Sequence, residues 1–106
     1  MSDQIDFAKL GGPVFVGRAN GAKARAALHL DRLDKSEQPV EVRVPSGTYS
    51  INSSYFLGLF GPSVISLGSS EAFHAHYRFE APPVLMETIE RHIDRALRER
   101  GPLRLE

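Results

Sequence analysis

Residues 39–45 read Pro-Val-Glu-Val-Arg-Val-Pro, and this strict alternation constrains the fold more than any other feature of the chain. In an extended segment the three valines share one side, whereas Glu41 and Arg43 share the other. A strand covered by helices on both faces would be apolar throughout, so we expect a sheet with helices packed on one face only. The same alternation at residues 73–80 predicts a second strand of this kind.

The sequence predicts two further strands, at residues 5–10 and 14–16, and two helices, at residues 20–33 and 83–99. The two short strands flank Gly11-Gly12-Pro13, which predicts a β-hairpin because this tripeptide cannot continue a strand ladder. With a helix at residues 52–67 the order is ββαβαβα. We therefore predict an α/β fold with a mixed four-stranded sheet, in a single domain over residues 1–106.

The segment 52–67 is apolar on nearly every side, so it should form a buried helix or one that meets a partner. Asn52 or Ser53 is a suitable N-cap, because its side chain can accept from the first N–H groups of the helix. Pro62 predicts a kink or break near the glycine before it. Gly68 is expected to end the helix in the left-handed conformation.

The charge balance and the missing cysteines exclude several classes of function. The chain of 106 residues carries 13 Lys and Arg against 13 Asp and Glu, so it lacks the basic excess that phosphate backbones and anionic membranes require. Without cysteine there is no disulfide, thiolate catalysis or Cys-ligated metal, which fits a reducing compartment. No apolar run reaches the ~20 residues of a spanning helix. We expect a cytoplasmic domain with no nucleic-acid or membrane partner.

The four histidines do not suggest catalysis. His74 and His76 would share one face of the predicted strand, but no third metal ligand has a suitable spacing, so we interpret them as solvated residues of an open sheet face. His29 and His92 lie on or beside predicted helix stripes and are expected to be packed or half-exposed. Since no base–nucleophile pair can be assembled, we predict no catalytic residue, no metal and no cofactor.

A strand-to-helix turn at Gly17, Arg18, Asn20 and Gly21 offers backbone N–H groups to an anion. The turn matches neither the P-loop nor the dinucleotide-binding motif. A small-anion or nucleotide-binding domain that uses these four residues is our alternative function.

Ser53 and Ser54 follow a predicted buried strand and begin the apolar helix. A phosphoryl group on either serine would face the positive end of the helix dipole. Plain helix capping explains the same residues, so capping and regulatory phosphorylation are both open at this point.

Residues 46–79 contain a series of short motifs: Ser46-Gly47, Ser54-Tyr55, Leu59-Phe60-Gly61, Leu67-Gly68, Glu71-Ala72-Phe73 and Tyr77-Arg78-Phe79. Together they resemble the STAS-like domain family of unknown function. That family is related to sulphate-transporter and anti-sigma-factor-antagonist domains. The resemblance extends over about residues 15–97. It implies a mixed sheet with helices on one face, in a bacterial, non-enzymatic signalling module. The implied partner is a kinase-like or anti-sigma regulator, or a second copy of the chain in a homodimer.

Departures from the family pattern shape the expected site. The family carries acidic residues where this chain has Val44, Leu57 and Gly58. The phosphorylated Asp-Ser-Ser/Thr-Gly run of the antagonists corresponds to residues 52–55, which keep the serines but lose the Asp and the Gly. The match makes Ser53 the phosphorylation candidate and Ser54 the cap, or the reverse if the register shifts by one.

The lost acidic residues make the helix start more apolar, which favours a protein–protein contact through Asn52, Tyr55, Phe56 and Leu57. A phosphate at this position would weaken such an apolar contact, because the added charge resists desolvation.

Overall fold

The computed structural model describes residues 4–10, 14–45 and 50–104. Within these residues, strands β1 to β5 are Gln4–Asp6, Val14–Phe15, Val40–Arg43, Ser50–Ile51 and Tyr77–Glu80. Helices α1 to α5 are Arg18–Ala27, Leu30–Leu33, Ser53–Leu67, Ser70–His76 and Pro83–Arg104, and a short 3-10 helix spans Phe7–Lys9. The α/β class is confirmed. The predicted turns at residues 11–13 and 46–47 lie outside the described residues.

The described strands form two parallel sheets. One has the order β1-β3-β5, and the other pairs β2 with β4. The predicted hairpin of the first two strands is therefore wrong, and a four-stranded mixed sheet is not found. The chain turns directly after β1, where the Asp6 carboxylate accepts from the Ala8 N–H at 2.9 Å and begins the 3-10 helix. This turn directs β2 away from the first sheet.

Strand β3 has the predicted two-sided character. Val40 and Val42 are buried, Glu41 is half-buried and Arg43 is exposed. The pairing with β5 continues past the end of the strand, since the Val44 N–H donates to the Glu80 carbonyl at 2.8 Å. The alternation in the sequence thus identified one buried face of the three-stranded sheet.

The strand predicted at residues 73–80 is helical in its first half. Ser69 caps α4, because its hydroxyl accepts from the Ala72 N–H at 3.1 Å. A helix of seven residues can show apolar residues at alternate positions by chance, and only Phe73 of this segment is buried before β5 begins at Tyr77. The alternation of apolar residues here therefore did not distinguish a strand from a capped helix.

The helix predicted at residues 20–33 is divided in two. His29 has a left-handed backbone with φ 58°, which separates α1 from α2. The first helix also begins earlier than expected, after Gly17, whose φ of 95° favours glycine. Apolar periodicity continues across the break and therefore did not indicate it.

Helix α3 has the predicted ends. The Asn52 side chain accepts from the Ser54 N–H at 2.8 Å, and Gly68 ends the helix with φ 94°. Of the kink or break expected near Pro62, there is no break, since α3 runs unbroken from Ser53 to Leu67. Gly61 favours this continuity, because a residue without Cβ avoids one of the clashes that a proline ring makes in a helix.

An aromatic cluster joins α3 to α4 and β5. Phe60 lies 5.6 Å from Phe73, 5.4 Å from Tyr77 and 5.5 Å from Phe79, measured between ring centroids. Helix α5 adds its predicted apolar stripe, of which these residues are buried: Leu85, Ile89, Ile93 and Ala96. Among the described helices none has the length and hydropathy needed to cross a membrane.

Candidate functional site

Helices α1 and α3 touch backbone to backbone at two glycines. A Cβ added to Gly21 would lie 2.2 Å from the Tyr55 carbonyl oxygen, and one added to Gly58 would lie 2.2 Å from the Arg18 carbonyl oxygen. Because the parallel strands β2 and β4 lead into α1 and α3, both helices begin at the same edge of that sheet. The crossing therefore brings the turn at residues 17–21 beside the start of α3.

At the start of α1, the four residues of the predicted anion site have different surroundings. Gly21 is buried against α3, and its N–H donates to the Gly17 carbonyl at 3.0 Å. The Asn20 amide donates to the Val16 carbonyl at 2.9 Å. Arg18 lines a groove on one flank of α1, whereas Asn20 lines a cavity on the other flank. The side chains of Arg18 and Asn20 therefore line different spaces.

At the start of α3 the two serines have different surroundings. Ser53 Oγ accepts from Arg95 Nη1 of α5 at 3.0 Å. The Ser54 N–H donates to the side-chain oxygen of Asn52, and the Asn52 N–H donates to the Phe15 carbonyl of β2 at 2.8 Å. Both serines are half-buried and Asn52 is exposed. Ser53 is thus the serine whose hydroxyl already contacts a cation.

The apolar residues that follow the serines are in the core. Tyr55, Phe56 and Leu57 are 4%, 1% and 4% exposed. The Tyr55 ring lies 5.3 Å from the ring of Phe15. In this conformation the three side chains contact the interior of the chain, so a partner would reach at most their edges. Elements on several sides of α3 cover it, which is why its sequence is apolar nearly all round.

An open groove of about 360 Å³ runs along the outer side of the α1–α3 crossing and continues to α5. We call it the crossing groove, and the residues that line it are Arg18, Ala22, Leu57, Gly58, Gly61, Pro62, Ile65 and Ala96. Ile65 is 41% exposed and contributes apolar surface to the groove. The groove is the accessible part of the apolar surface predicted for this helix.

His92 fixes the end of β4 to α5. Its Nε2 donates to the Ile51 carbonyl at 2.9 Å, and its ring lies 5.5 Å from the ring of Phe56. Burial lowers the pKa of His92, and the nearby charges of Arg91 and Arg95 lower it further, although the hydrogen bond to Ile51 acts in the opposite direction. A neutral imidazole that donates to a carbonyl has a structural role here.

A polar cluster in the interior was missed by the sequence analysis. Arg25 donates to the Leu59 carbonyl at 3.0 Å, to Ser63 Oγ at 2.8 Å and to the Asp34 carboxylate at 2.7 Å. Ser63 and Tyr77 both donate to Asp34 Oδ1, the former at 2.6 Å. The cluster ties α1, α3 and β5 to the residue that follows α2.

The charges of this cluster are mutually compensated. Burial alone would raise the pKa of Asp34, but hydrogen bonds from Ser63, Tyr77 and Arg25 and the charge of Arg25 hold it below its usual value. Burial and the bond to Asp34 raise the pKa of Tyr77, so its hydroxyl stays protonated. Ser63 and Tyr77 are fully buried, so a substrate cannot reach them and the cluster holds the fold together. The one signal in the sequence was Ser63, a serine within an apolar helix.

His74 and His76 are not on a sheet face, because both belong to α4. The imidazole of His74 donates to the Glu90 carboxylate, and His76 Nε2 donates to the Leu33 carbonyl at 2.6 Å. Two residues apart on a helix they point in different directions. In the part of the chain that the structure describes, no group of three or more His, Cys, Asp or Glu side chains is arranged to hold a metal ion.

No family model, curated protein or solved structure matches this chain.

Proposed function

We propose that the chain is a non-enzymatic regulatory module that binds a protein partner along the crossing groove and is switched by phosphorylation of Ser53. The observation that carries the proposal is the position of Ser53. This serine is half-buried at the first position of α3, one helical turn before Leu57 of the groove lining, and within hydrogen-bond distance of Arg95.

The groove and the serine lie on one stripe of the helix. Residues four apart share a helix face, so Ser53 is followed on its own face by Leu57, Gly61 and Ile65. These three residues line the groove. A partner that covers the groove would therefore approach Ser53, and a change of charge there would act directly on its binding.

The surroundings of Ser53 suit a phosphate. The first turn of α3 presents the positive end of a helix dipole, and Arg95 Nη1 is 3.0 Å from the hydroxyl oxygen. A phosphoserine here adds about −1.5 to −2 charges at neutral pH. Covering that charge with the apolar surface of a partner requires its desolvation, so we expect phosphorylation to weaken the complex.

The same geometry supports a role without catalysis. The group that contacts Ser53 Oγ is a guanidinium, which stays protonated in proteins and cannot take the serine proton as a general base. A cytoplasmic STAS-like module with a kinase-like or anti-sigma regulator, or a second copy of the chain, as its partner remains part of the proposal. The anion-binding alternative receives less support, since the side chains of Arg18 and Asn20 line different spaces.

The test uses the full chain carrying phosphoserine at residue 53, with phosphoserine at residue 54 as the matched control. The unmodified chain and both phosphorylated forms are compared for partner capture from an extract of the source cell and for mass in solution by light scattering. We expect the form modified at Ser53 to lose a partner, or a second copy, that the other two retain. Phosphatase treatment should restore it.

A second comparison tests the role of the arginine. Phosphorylation at Ser53 should raise the unfolding midpoint, and Arg95→Gln should remove that gain, whereas Arg91→Gln one turn away should keep it. Identical partners and identical masses for all three forms would overturn the proposal. A partner lost equally from both phosphorylated forms would also contradict it, because the effect would then not depend on the position of Ser53.

A further inference from the structure

A second cavity lies on the opposite flank of α1, between this helix and the 3-10 helix. Its volume is about 430 Å³ and it is open to solvent. We call it the lysine cavity, and the residues that line it are Lys9, Leu10, Phe15, Val16, Asn20, Lys23, Ala24, Ala27 and Tyr55. It shares no lining residue with the crossing groove.

Tyr55 places an unused hydrogen-bonding group at this cavity. The residue is 4% exposed, and its ring packs against Phe15. Within the described part of the chain, its hydroxyl has no hydrogen-bond partner. Since no side-chain polar atom there is both sealed from solvent and unpaired, the hydroxyl is not sealed from solvent, and Tyr55 lines the cavity. Most buried tyrosines have a hydrogen-bond partner, so a ligand is the natural candidate for this one.

The charged side chains that line the cavity are both positive. Lys9 and Lys23 are exposed at its rim, and neither forms an ion pair with a described residue. The described residues that line the cavity include no Asp or Glu. The amide nitrogen of Asn20 is already used by the Val16 carbonyl. The remaining wall is apolar, with Phe15 and Ala24 at its base.

We infer that the lysine cavity binds a small organic anion, a carboxylate or phosphate monoester with an apolar body. The charged group pairs with Lys9 and Lys23, and one of its oxygens accepts from the Tyr55 hydroxyl. The apolar body lies against Phe15 and Ala24. This site does not involve Ser53, so a negative result for either proposal leaves the other unaffected.

The experiment titrates the isotope-labelled full chain with three probes while backbone amide signals are followed by NMR. Benzoate and phenyl phosphate represent the two anion types, and benzyl alcohol is the neutral probe of similar shape. We expect saturable shifts of the Lys23 and Ala24 amides with at least one anion, with a dissociation constant on the order of 1 mM. Whichever anion binds more tightly identifies the type of charged group.

Two variants test the contacts. Tyr55→Phe keeps the ring and should weaken anion binding by about three- to tenfold, as expected for one lost hydrogen bond. Lys23→Gln should weaken it to a similar degree, whereas Lys35→Gln, outside the cavity, should have no effect. The dispersion of the amide spectrum confirms that each variant is folded.

Three results would overturn the inference: no saturable shift with either anion, benzyl alcohol binding as tightly as the anions, or unchanged affinity in both Tyr55→Phe and Lys23→Gln. Each would show that the hydroxyl and the lysines do not form a site.

Discussion

Replacing Gly58 with alanine adds a methyl group where the backbones of α1 and α3 touch. The new Cβ would lie 2.2 Å from the Arg18 carbonyl oxygen and 2.9 Å from the Ala22 nitrogen. Both atoms belong to the backbone of a helix, so neither can rotate away. The two helices would have to separate by about 1 Å to reach ordinary contact distance, which loosens the packing along the crossing.

The magnitude follows from two opposing effects. In the interior of a helix, alanine is favoured over glycine by roughly 0.5–1 kcal/mol. Overpacking a core contact typically costs about 1–3 kcal/mol, and a backbone clash belongs at the upper end of that range. We therefore expect Gly58→Ala to lower the free energy of unfolding by about 1–2 kcal/mol. For a domain of this size each kcal/mol corresponds to a shift of roughly 4–8 °C in the unfolding midpoint.

Gly61→Ala in the same helix is the matched control. Apart from its chain neighbours and the backbone of α3, its Cβ would meet the Leu57 side chain at 3.8 Å, which is ordinary contact. The gain in helix propensity is offset by the restriction that Pro62 imposes on the residue before it. The free energy of unfolding should therefore stay within about 1 kcal/mol of the wild-type value.

Urea denaturation followed by circular dichroism measures these differences, provided that the m-value is unchanged. Gly21→Ala should behave like Gly58→Ala, because its Cβ would lie 2.2 Å from the Tyr55 carbonyl oxygen. The double variant should cost less than the sum, since one separation of the helices relieves both clashes. If Gly58→Ala is as stable as the wild type, or loses no more free energy of unfolding than Gly61→Ala, the close contact between the backbones of α1 and α3 is contradicted.

Two further predictions concern buried polar groups. Asp34→Asn should cost about 2–4 kcal/mol at pH 7, because it leaves the largely buried Arg25 guanidinium with the exposed Asp31 as its remaining carboxylate partner among the described residues. The pKa of Asp34 is lowered in the folded state, so its stabilising contribution is present above the unfolded value of about 3.9. The difference in urea midpoint between wild type and variant should shrink only below about pH 4, and a constant difference down to pH 3 would contradict this. The pKa of His92 is lowered, chiefly by burial, so the wild type should lose stability as the pH falls below about 6.5. His92→Gln keeps a donor for the Ile51 carbonyl and should flatten the decline between about pH 7 and 5.5, whereas an equally steep decline would assign it to other groups.

Local features of the sequence determined several elements correctly. Asn52 and Gly68 mark the ends of α3, because a capping side chain and a left-handed glycine act on the backbone next to them. The alternation of Val40 and Val42 with Glu41 identified the buried face of β3. These rules involve neighbours within one turn or one strand, so they can be read without knowing the rest of the fold.

For the candidate site, the sequence identified Ser53 and the start of α3 but not its surroundings. The contact of Ser53 with Arg95 joins residues 42 positions apart, and no local pattern indicates it. The predicted partner-binding side chains at residues 55–57 are apolar because they fill the core. Composition alone does not distinguish a buried helix from one that meets a partner.

The tertiary structure alone decided which strands pair and where the helices cross. The β1 and β2 segments have only three and two residues, and each pairs with a strand more than 30 residues away. Residues 73–76 are helical, and the ring of Phe73 packs against Phe60, a residue of another helix. The sequence by itself thus determined the local conformations whose energy comes from adjacent residues. Pairing, crossing and the buried charge cluster depend on contacts between distant residues, and those contacts exist only once the chain has folded.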